Sequence, residues 1–85
     1  MKILHILRKR NDAEALEIAA RQRDQGHEVS ILLAHDGVLS DRLGDFTAFA
    51  CKDDVLARGI QPAAQVLDYD AIIRLIFEND SSVTW

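Results

Sequence analysis

The stretch VSILLAHDG, residues 29–37, decides the fold class. Its first part, residues 29–34, is almost purely apolar, which is typical of a strand that is buried on both faces of a sheet. The Asp36-Gly37 pair then ends the strand in a turn, because a short polar residue followed by glycine favours a tight reversal of the backbone. A strand of this kind predicts a parallel sheet that is covered by helices on both faces.

Strands and helices alternate along the rest of the chain. Apolar runs predict strands over residues 2–7, 29–34, 46–50 and 66–67, and helical spacing predicts helices over residues 12–25, 53–58 and 69–79. Asn11 or Asp12 caps the first helix, Gly59 ends the second and Asp68 caps the third. The sequence therefore predicts one α/β domain, residues 1–85, in three layers with a four-stranded, mostly parallel sheet.

Composition and charge exclude several classes of protein. Apolar residues make up 48% of the 85 residues, with no run of the roughly 18 that would span a bilayer. Residues 1–25 carry six basic and four acidic groups, and residues 26–85 carry four basic and ten acidic groups. A chain with this charge is not expected to bind nucleic acid directly. The single cysteine cannot form an internal disulfide, so we expect a reducing, cytoplasmic setting.

The predicted sheet indicates where a binding site would form. In an open parallel sheet, sites lie beyond the carboxyl ends of the strands, which brings together residues 8–12, 35–40 and 51–54. Cys51 would lie at this rim and at a helix N-terminus, where backbone N–H groups favour a thiolate. Arg8 and Lys9 would add positive potential, whereas Asp53 and Asp54 oppose it. The alternative is that Cys51 is a small buried apolar residue, as many free cysteines are.

The three histidines do not predict a metal site. His35 and Asp36 are adjacent, but neighbouring residues at a strand end point to opposite faces, so a turn is favoured over an acid–base pair. His5 lies inside the first strand and is expected to be a hydrogen-bonded core residue, and His27 is expected in a loop. None has metal-ligand spacing with the cysteine, and no glycine-rich phosphate loop occurs. We therefore expect no cofactor.

Short motifs follow one another in a recognisable order. They are Leu4-His5-Ile6-Leu7, Leu32-Leu33-Ala34-His35-Asp36-Gly37-Val38, Phe49-Ala50-Cys51-Lys52-Asp53-Asp54-Val55-Leu56-Ala57-Arg58-Gly59, Leu67-Asp68-Tyr69-Asp70-Ala71-Ile72-Ile73-Arg74-Leu75 and Trp85. In this order and spacing the chain resembles the DsrE/DsrF/DsrH superfamily, most closely its short DsrH/TusB-like branch. The resemblance implies a small flavodoxin-like fold and a sulfur relay, in which persulfide sulfur passes between cysteines without a cofactor.

The resemblance also implies a destination and partners. The sulfur would go toward 2-thiouridine at the tRNA wobble position or into sulfur oxidation, through thiols of DsrE/TusD-like and DsrF/TusC-like subunits. Such proteins form hexamers of paired chains, and small relatives form homodimers. Direct contact with RNA is not expected. The apolar residues Ile72, Ile76 and Phe77, or residues 38–46, are the expected contact surface, because so small a domain leaves sheet edges and helix faces uncovered.

Cys51 is the predicted sulfur-carrying residue. The larger DsrE/TusD-like chains place their sulfur-accepting cysteine before a short helix that ends in Arg-Gly, and Cys51 precedes Arg58-Gly59 in the same way. The residues expected to support it at the rim are Arg8, Lys9, Asp36, Gly37, Lys52 and Asp53. Several TusB-like chains have no cysteine at this position, so a structural subunit that does no chemistry is the alternative. His35 also departs from the amide residue that many relatives have there.

Overall fold

The fold is described by a computed structural model that covers residues 1–85. Five strands form the sheet: β1 Lys2–Leu7, β2 Glu28–Leu33, β3 Thr47–Cys51, β4 Gln65–Leu67 and β5 Ser81–Thr84. Three α-helices connect them: α1 Ala13–Asp24, α2 Lys52–Arg58 and α3 Tyr69–Glu78. A short 3₁₀ helix, His35–Leu39, follows β2. No helix is both long enough and apolar enough to cross a membrane.

The sheet is entirely parallel, with the strand order β4-β3-β2-β1-β5. The predicted number of four strands is wrong, because Ser81–Thr84 pairs with β1 as a fifth strand. Sequence periodicity misses this strand because three of its four residues are Ser or Thr. The chain thus moves from β1 to β4 in one direction and returns to the far side of β1.

The two faces of the sheet are covered unequally. Right-handed crossovers place α1 and α2 on one face of the sheet. The crossover from β4 to β5 passes across the sheet in the opposite direction, so its helix, α3, lies on the other face. The face under α1 and α2 holds the main core, whose buried residues are Leu7, Ala15, Ala19, Ile31, Leu33, Val38, Ala50 and Val55. The α3 face is covered by a single helix, although Leu4 and Leu32 are buried there.

Capping residues set the helix boundaries as the sequence predicts. Asp12 accepts a hydrogen bond from the Ala15 N–H at the start of α1, and Asp68 accepts one from the Ala71 N–H at the start of α3. Gly59 ends α2 in the left-handed conformation, with φ of 60°. These contacts satisfy N–H and C=O groups that a helix leaves unpaired at its ends.

His5 is the one buried polar side chain with a titratable group. The Trp85 indole N–H donates to its Nδ1 at 2.9 Å, so Nδ1 is an acceptor and the proton of the neutral ring lies on Nε2. Nε2 then donates to Gln22 Oε1 at 2.6 Å. This confirms that His5 is a hydrogen-bonded core residue, and it fixes the end of β5 to β1 and α1.

Candidate functional site

The carboxyl ends of β2 and β3 bring two predicted segments together at one rim of the sheet. The 3₁₀ helix follows β2 directly, and α2 follows β3 directly. β2 and β3 are neighbours in the sheet, with Leu33 opposite Ala50, and this register brings His35 to the start of α2, where its N–H donates to Asp54. The predicted meeting of residues 35–40 with residues 51–54 is therefore present in the structure.

Cys51 is both the last residue of β3 and the N-cap of α2. Its side chain is half-buried and makes no capping hydrogen bond. The N–H groups of the first turn of α2 lie beside it and present positive potential. Two acidic residues, Asp53 and Asp54, occupy the same turn with the opposite sign.

Asp54 is the carboxylate that the fold places against Cys51. Its Oδ2 accepts a hydrogen bond from the backbone N–H of His35 at 2.8 Å. That bond is the main reason why the pKa of Asp54 lies below its ordinary value. Burial raises the pKa, whereas a hydrogen bond with the Cys51 side chain and the charge of Arg58 lower it. Asp54 is therefore ionised at neutral pH and lies near the thiol.

Arg58 joins the two segments through their carboxylates. Its Nη2 lies 3.0 Å from Asp36 Oδ1, and its Nη1 lies 3.6 Å from Asp54 Oδ1 and donates to the Asp54 carbonyl at 3.2 Å. The side chains of Arg58 and Asp54 are 27% and 22% exposed, so the Arg58–Asp54 pair is better shielded from solvent than the other ion pairs of the protein. Sequence reasoning found Arg58 only through the Arg-Gly pattern and gave it no contact.

Gly37 has a structural role at the rim. A Cβ atom on this residue would overlap the carbonyl oxygen of Leu7, so only glycine allows the 3₁₀ helix to pack against the end of β1. His35 has a left-handed backbone, with φ of 50°, which points its N–H at Asp54. The His35-Asp36-Gly37 segment is therefore a tight turn, and its polar contacts run to α2.

The other predicted site residues are not brought against Cys51. Arg8 follows β1, which β2 separates from β3 by about 9–10 Å across the sheet, and its Nε donates to the carbonyl of Trp85 at 2.7 Å. Lys9, Lys52 and Asp53 are exposed. The structure thus assembles Cys51 with Asp54, Arg58, Asp36 and the His35 backbone.

A second polar cluster at the rim was missed by sequence reasoning. Asn11, in a left-handed conformation with φ of 49°, accepts hydrogen bonds from the N–H groups of Asp41 and Arg42 through its side-chain oxygen. Its side-chain nitrogen donates to Asp41 at 2.8 Å, which is the main reason why the pKa of Asp41 is lowered. Asn adopts the left-handed conformation more readily than most residues, so Asn11 in the sequence could have indicated a turn at this position.

Two open clefts flank α3, and the smaller one reaches Leu67, the β4 residue that pairs with Cys51. The larger, about 420 Å³, is bordered by the starts of β1, β2 and β3 and by Leu75, Glu78 and Asn79. The smaller, about 360 Å³, lies between α3 and the Phe49 and Leu67 side chains. Neither cleft is lined by Cys51. No group of three or more His, Cys, Asp or Glu side chains is placed to hold a metal ion.

Comparison with known proteins does not assign a family. No protein-family model matches the chain, and no curated protein matches its sequence.

Proposed function

We propose that the protein is a subunit of a cytoplasmic sulfur relay, related to the DsrH/TusB-like proteins, in which Cys51 carries sulfur as a persulfide. The Cys51 thiolate attacks the outer sulfur of a donor persulfide, the S–S bond of the donor breaks, and the donor leaves as a thiolate. An acceptor thiolate then attacks the outer sulfur on Cys51 and releases the Cys51 thiolate. The transfer needs no external oxidant or reductant.

The observation that carries this proposal is the position of Cys51. A relay needs a sulfur atom that two protein partners can reach in turn, and Cys51 is half-buried at the rim of the sheet. The first turn of α2 supplies N–H groups to a sulfur anion. Arg58, at 3.6 Å from Asp54, offsets part of the charge of the carboxylate that faces the thiol.

The fold agrees in its coarse features with the flavodoxin-like class that the resemblance implies. In the flavodoxin-like fold and in this protein, the sheet is parallel and the first strand has one single strand on one side and the remaining strands on the other. That strand comes second in the flavodoxin order 2-1-3-4-5 and fifth here. We propose DsrE/TusD-like and DsrF/TusC-like subunits as the donor and acceptor thiols, with tRNA 2-thiolation or sulfur oxidation as the destination.

Mass spectrometry of the intact protein tests the role of Cys51. After incubation with glutathione persulfide, we expect an adduct of about 32 Da, one sulfur atom, on the wild-type protein. Cys51→Ser is the matched control, because Cys51 is the only cysteine in the chain and the variant has no other thiol. An unmodified wild-type protein, under conditions that modify free cysteine, would rule out the relay role.

The second candidate is a structural subunit that completes a relay complex or a small homodimer. The observation that favours it is α3, which carries Ile72, Ile73, Leu75, Ile76 and Phe77 and has no fully buried residue. The relay and the structural subunit predict different rates of sulfur transfer when Cys51→Ser is placed in a reconstituted assembly. Sulfur transfer that survives Cys51→Ser would favour the structural subunit, and transfer that is lost would favour the relay.

A further inference from the structure

Strand β5 leaves one edge of the sheet open. It pairs with β1 on one side only, with Leu4 opposite Ser82 and Ile6 opposite Thr84. The Trp85 N–H donates to the Ile6 carbonyl at 2.9 Å. Since a parallel ladder uses every second residue of a strand, Ser81, Val83 and Trp85 bond to β1. The N–H and C=O groups of Ser82 and Thr84 therefore point outward, away from the sheet.

Nothing in the sequence of β5 protects this edge. Exposed edge strands are usually blocked by a charged side chain, by proline or by a bulge, since they otherwise pair with another chain. The four residues Ser81–Thr84 include none of these and are continuous in register with β1. The opposite edge, β4, is one residue shorter and closely follows Pro62.

The charges at the two ends of β5 favour an antiparallel copy of the same strand. Asp80 lies at the start, where its carboxylate accepts a hydrogen bond from the Lys2 N–H at 2.7 Å. Arg8 lies at the end, where its Nε donates to the Trp85 carbonyl. A two-fold axis through Val83 would place Asp80 of each copy just beyond Trp85 of the other, beside Arg8. A parallel arrangement would place like charges together instead.

The same two-fold axis pairs every outward N–H and C=O group of β5 with a partner on the other copy. Ser82 of one copy faces Thr84 of the other, and each pair exchanges both of its N–H···O=C bonds, as in a hydrogen-bonded pair of an antiparallel ladder. The side chains of Ser82 and Thr84 are small and exposed on the α3 face of the sheet. They leave room on that face for Phe77, which is 83% exposed and lies four residues before β5.

We infer that β5 is a self-association site, through which two copies of this chain pair antiparallel and join their sheets into one. The contact is isologous, so it closes at two copies and leaves no free β5 edge. Apolar contact from the α3 face adds to the backbone bonds, which alone contribute only about 0.5–1.5 kcal/mol each. The association does not depend on the persulfide role of Cys51.

Amide hydrogen exchange of the wild-type protein tests this site directly. At about 500 μM protein we expect slow exchange at Ser82 and Thr84, and at about 10 μM we expect exchange there to be faster by at least tenfold, because dilution releases the dimer. The N–H groups of Val83 and Trp85 bond to β1 within one copy, so their exchange serves as the internal reference. Rapid exchange of Ser82 and Thr84 at both concentrations would overturn the inference.

Two variants at Ser82 distinguish a contribution of its backbone N–H to dimer affinity from a contribution of its side chain. Ser82→Pro removes an outward N–H while the ladder with β1 stays intact, so we expect dimer affinity to fall by about 100-fold. Ser82→Ala keeps the N–H and should stay dimeric. Sedimentation measures both, and circular dichroism shows that both are folded. A folded Ser82→Pro protein that dimerises like Ser82→Ala would refute the β5 contact, as would a monomeric wild-type protein at about 500 μM.

Discussion

At the level of single residues, Asp54 connects the two halves of the candidate site. Its carboxylate faces the Cys51 thiol, accepts the His35 N–H and lies near Arg58. No local pattern distinguishes Asp54 from Asp53, since both are acidic residues in the first turn of α2. Only the packing of α2 against the 3₁₀ helix lets Asp54 contact both segments, whereas Asp53 stays exposed to solvent.

Asp54→Asn should make the stability of the protein less dependent on pH. The folded protein lowers the pKa of Asp54, so the stabilisation is present above the pKa of the unfolded chain and is lost as pH falls through the lower folded value. We expect a loss of about 1 kcal/mol at pH 7 that disappears in acid. Urea unfolding between about pH 3 and pH 7 measures it. Asp53→Asn is the control, and an equal loss there would contradict the role of Asp54.

Gly37→Ala should be the more damaging of two glycine substitutions. The new methyl group would overlap the Leu7 carbonyl, and we expect a loss of about 3 kcal/mol in the free energy of unfolding. Gly44 has φ of 59° but nothing within 4 Å of a Cβ, so Gly44→Ala should lose only about 1 kcal/mol. Thermal unfolding of both variants compares them, and equal losses would show that the contact with Leu7 is unimportant.

At the level of elements, apolar runs and caps predicted most of the structure. β1 to β4 and all three α-helices lie within two residues of the predicted bounds, because each is marked by an apolar run, a capping Asp or a terminal Gly. β5 was missed because its place depends on Trp85 and His5, which are 80 positions apart. The contacts of Asn11 were missed for the same reason, since they reach positions about 30 residues away.

Trp85→Phe should weaken the attachment of β5. Phenylalanine keeps the ring beside His5 but leaves His5 Nδ1 buried without a donor, which costs about 1–3 kcal/mol. Tyr69→Phe is a matched control, since Tyr69 is 74% exposed and the change should lie within about 0.5 kcal/mol. Urea unfolding followed by circular dichroism measures both variants. Equal stability of the two would mean that the indole N–H does not hold β5.

At the level of the whole molecule, the exposed Phe77 ring and the acidic residues around it indicate which kind of partner the surface can bind. Phe77 was expected on the apolar face of α3, as part of a contact surface, and the structure leaves it 83% exposed. An exposed aromatic ring is a feature of surfaces that stack nucleic-acid bases. Here it lies beside Glu78 and close to Asp80, within a segment whose ten acidic residues outnumber its four basic ones. The ring is therefore better suited to contact with another protein.

The isolated protein should not bind tRNA specifically. Affinity for RNA depends on the number of cations that face phosphates, and the cluster Arg8-Lys9-Arg10 is partly engaged by Trp85 and Asp41. In an anisotropy titration at physiological salt, we expect nothing tighter than the ~10⁻⁴–10⁻⁶ M of non-specific contact. Arg8→Ala should change this weak binding little. Saturable wild-type binding well below about 1 μM would contradict the prediction.

The pairing of β5 with β1 has a consequence for the order of events during synthesis. β1 is made first and holds the buried His5, but its second neighbour comes about 75 residues later in the chain. Until residue 85 has left the ribosome, one side of β1 is unpaired and His5 lacks its indole donor, Trp85. The nascent chain can therefore collapse around α1 and β2 early, whereas the native sheet can close only when β5 docks.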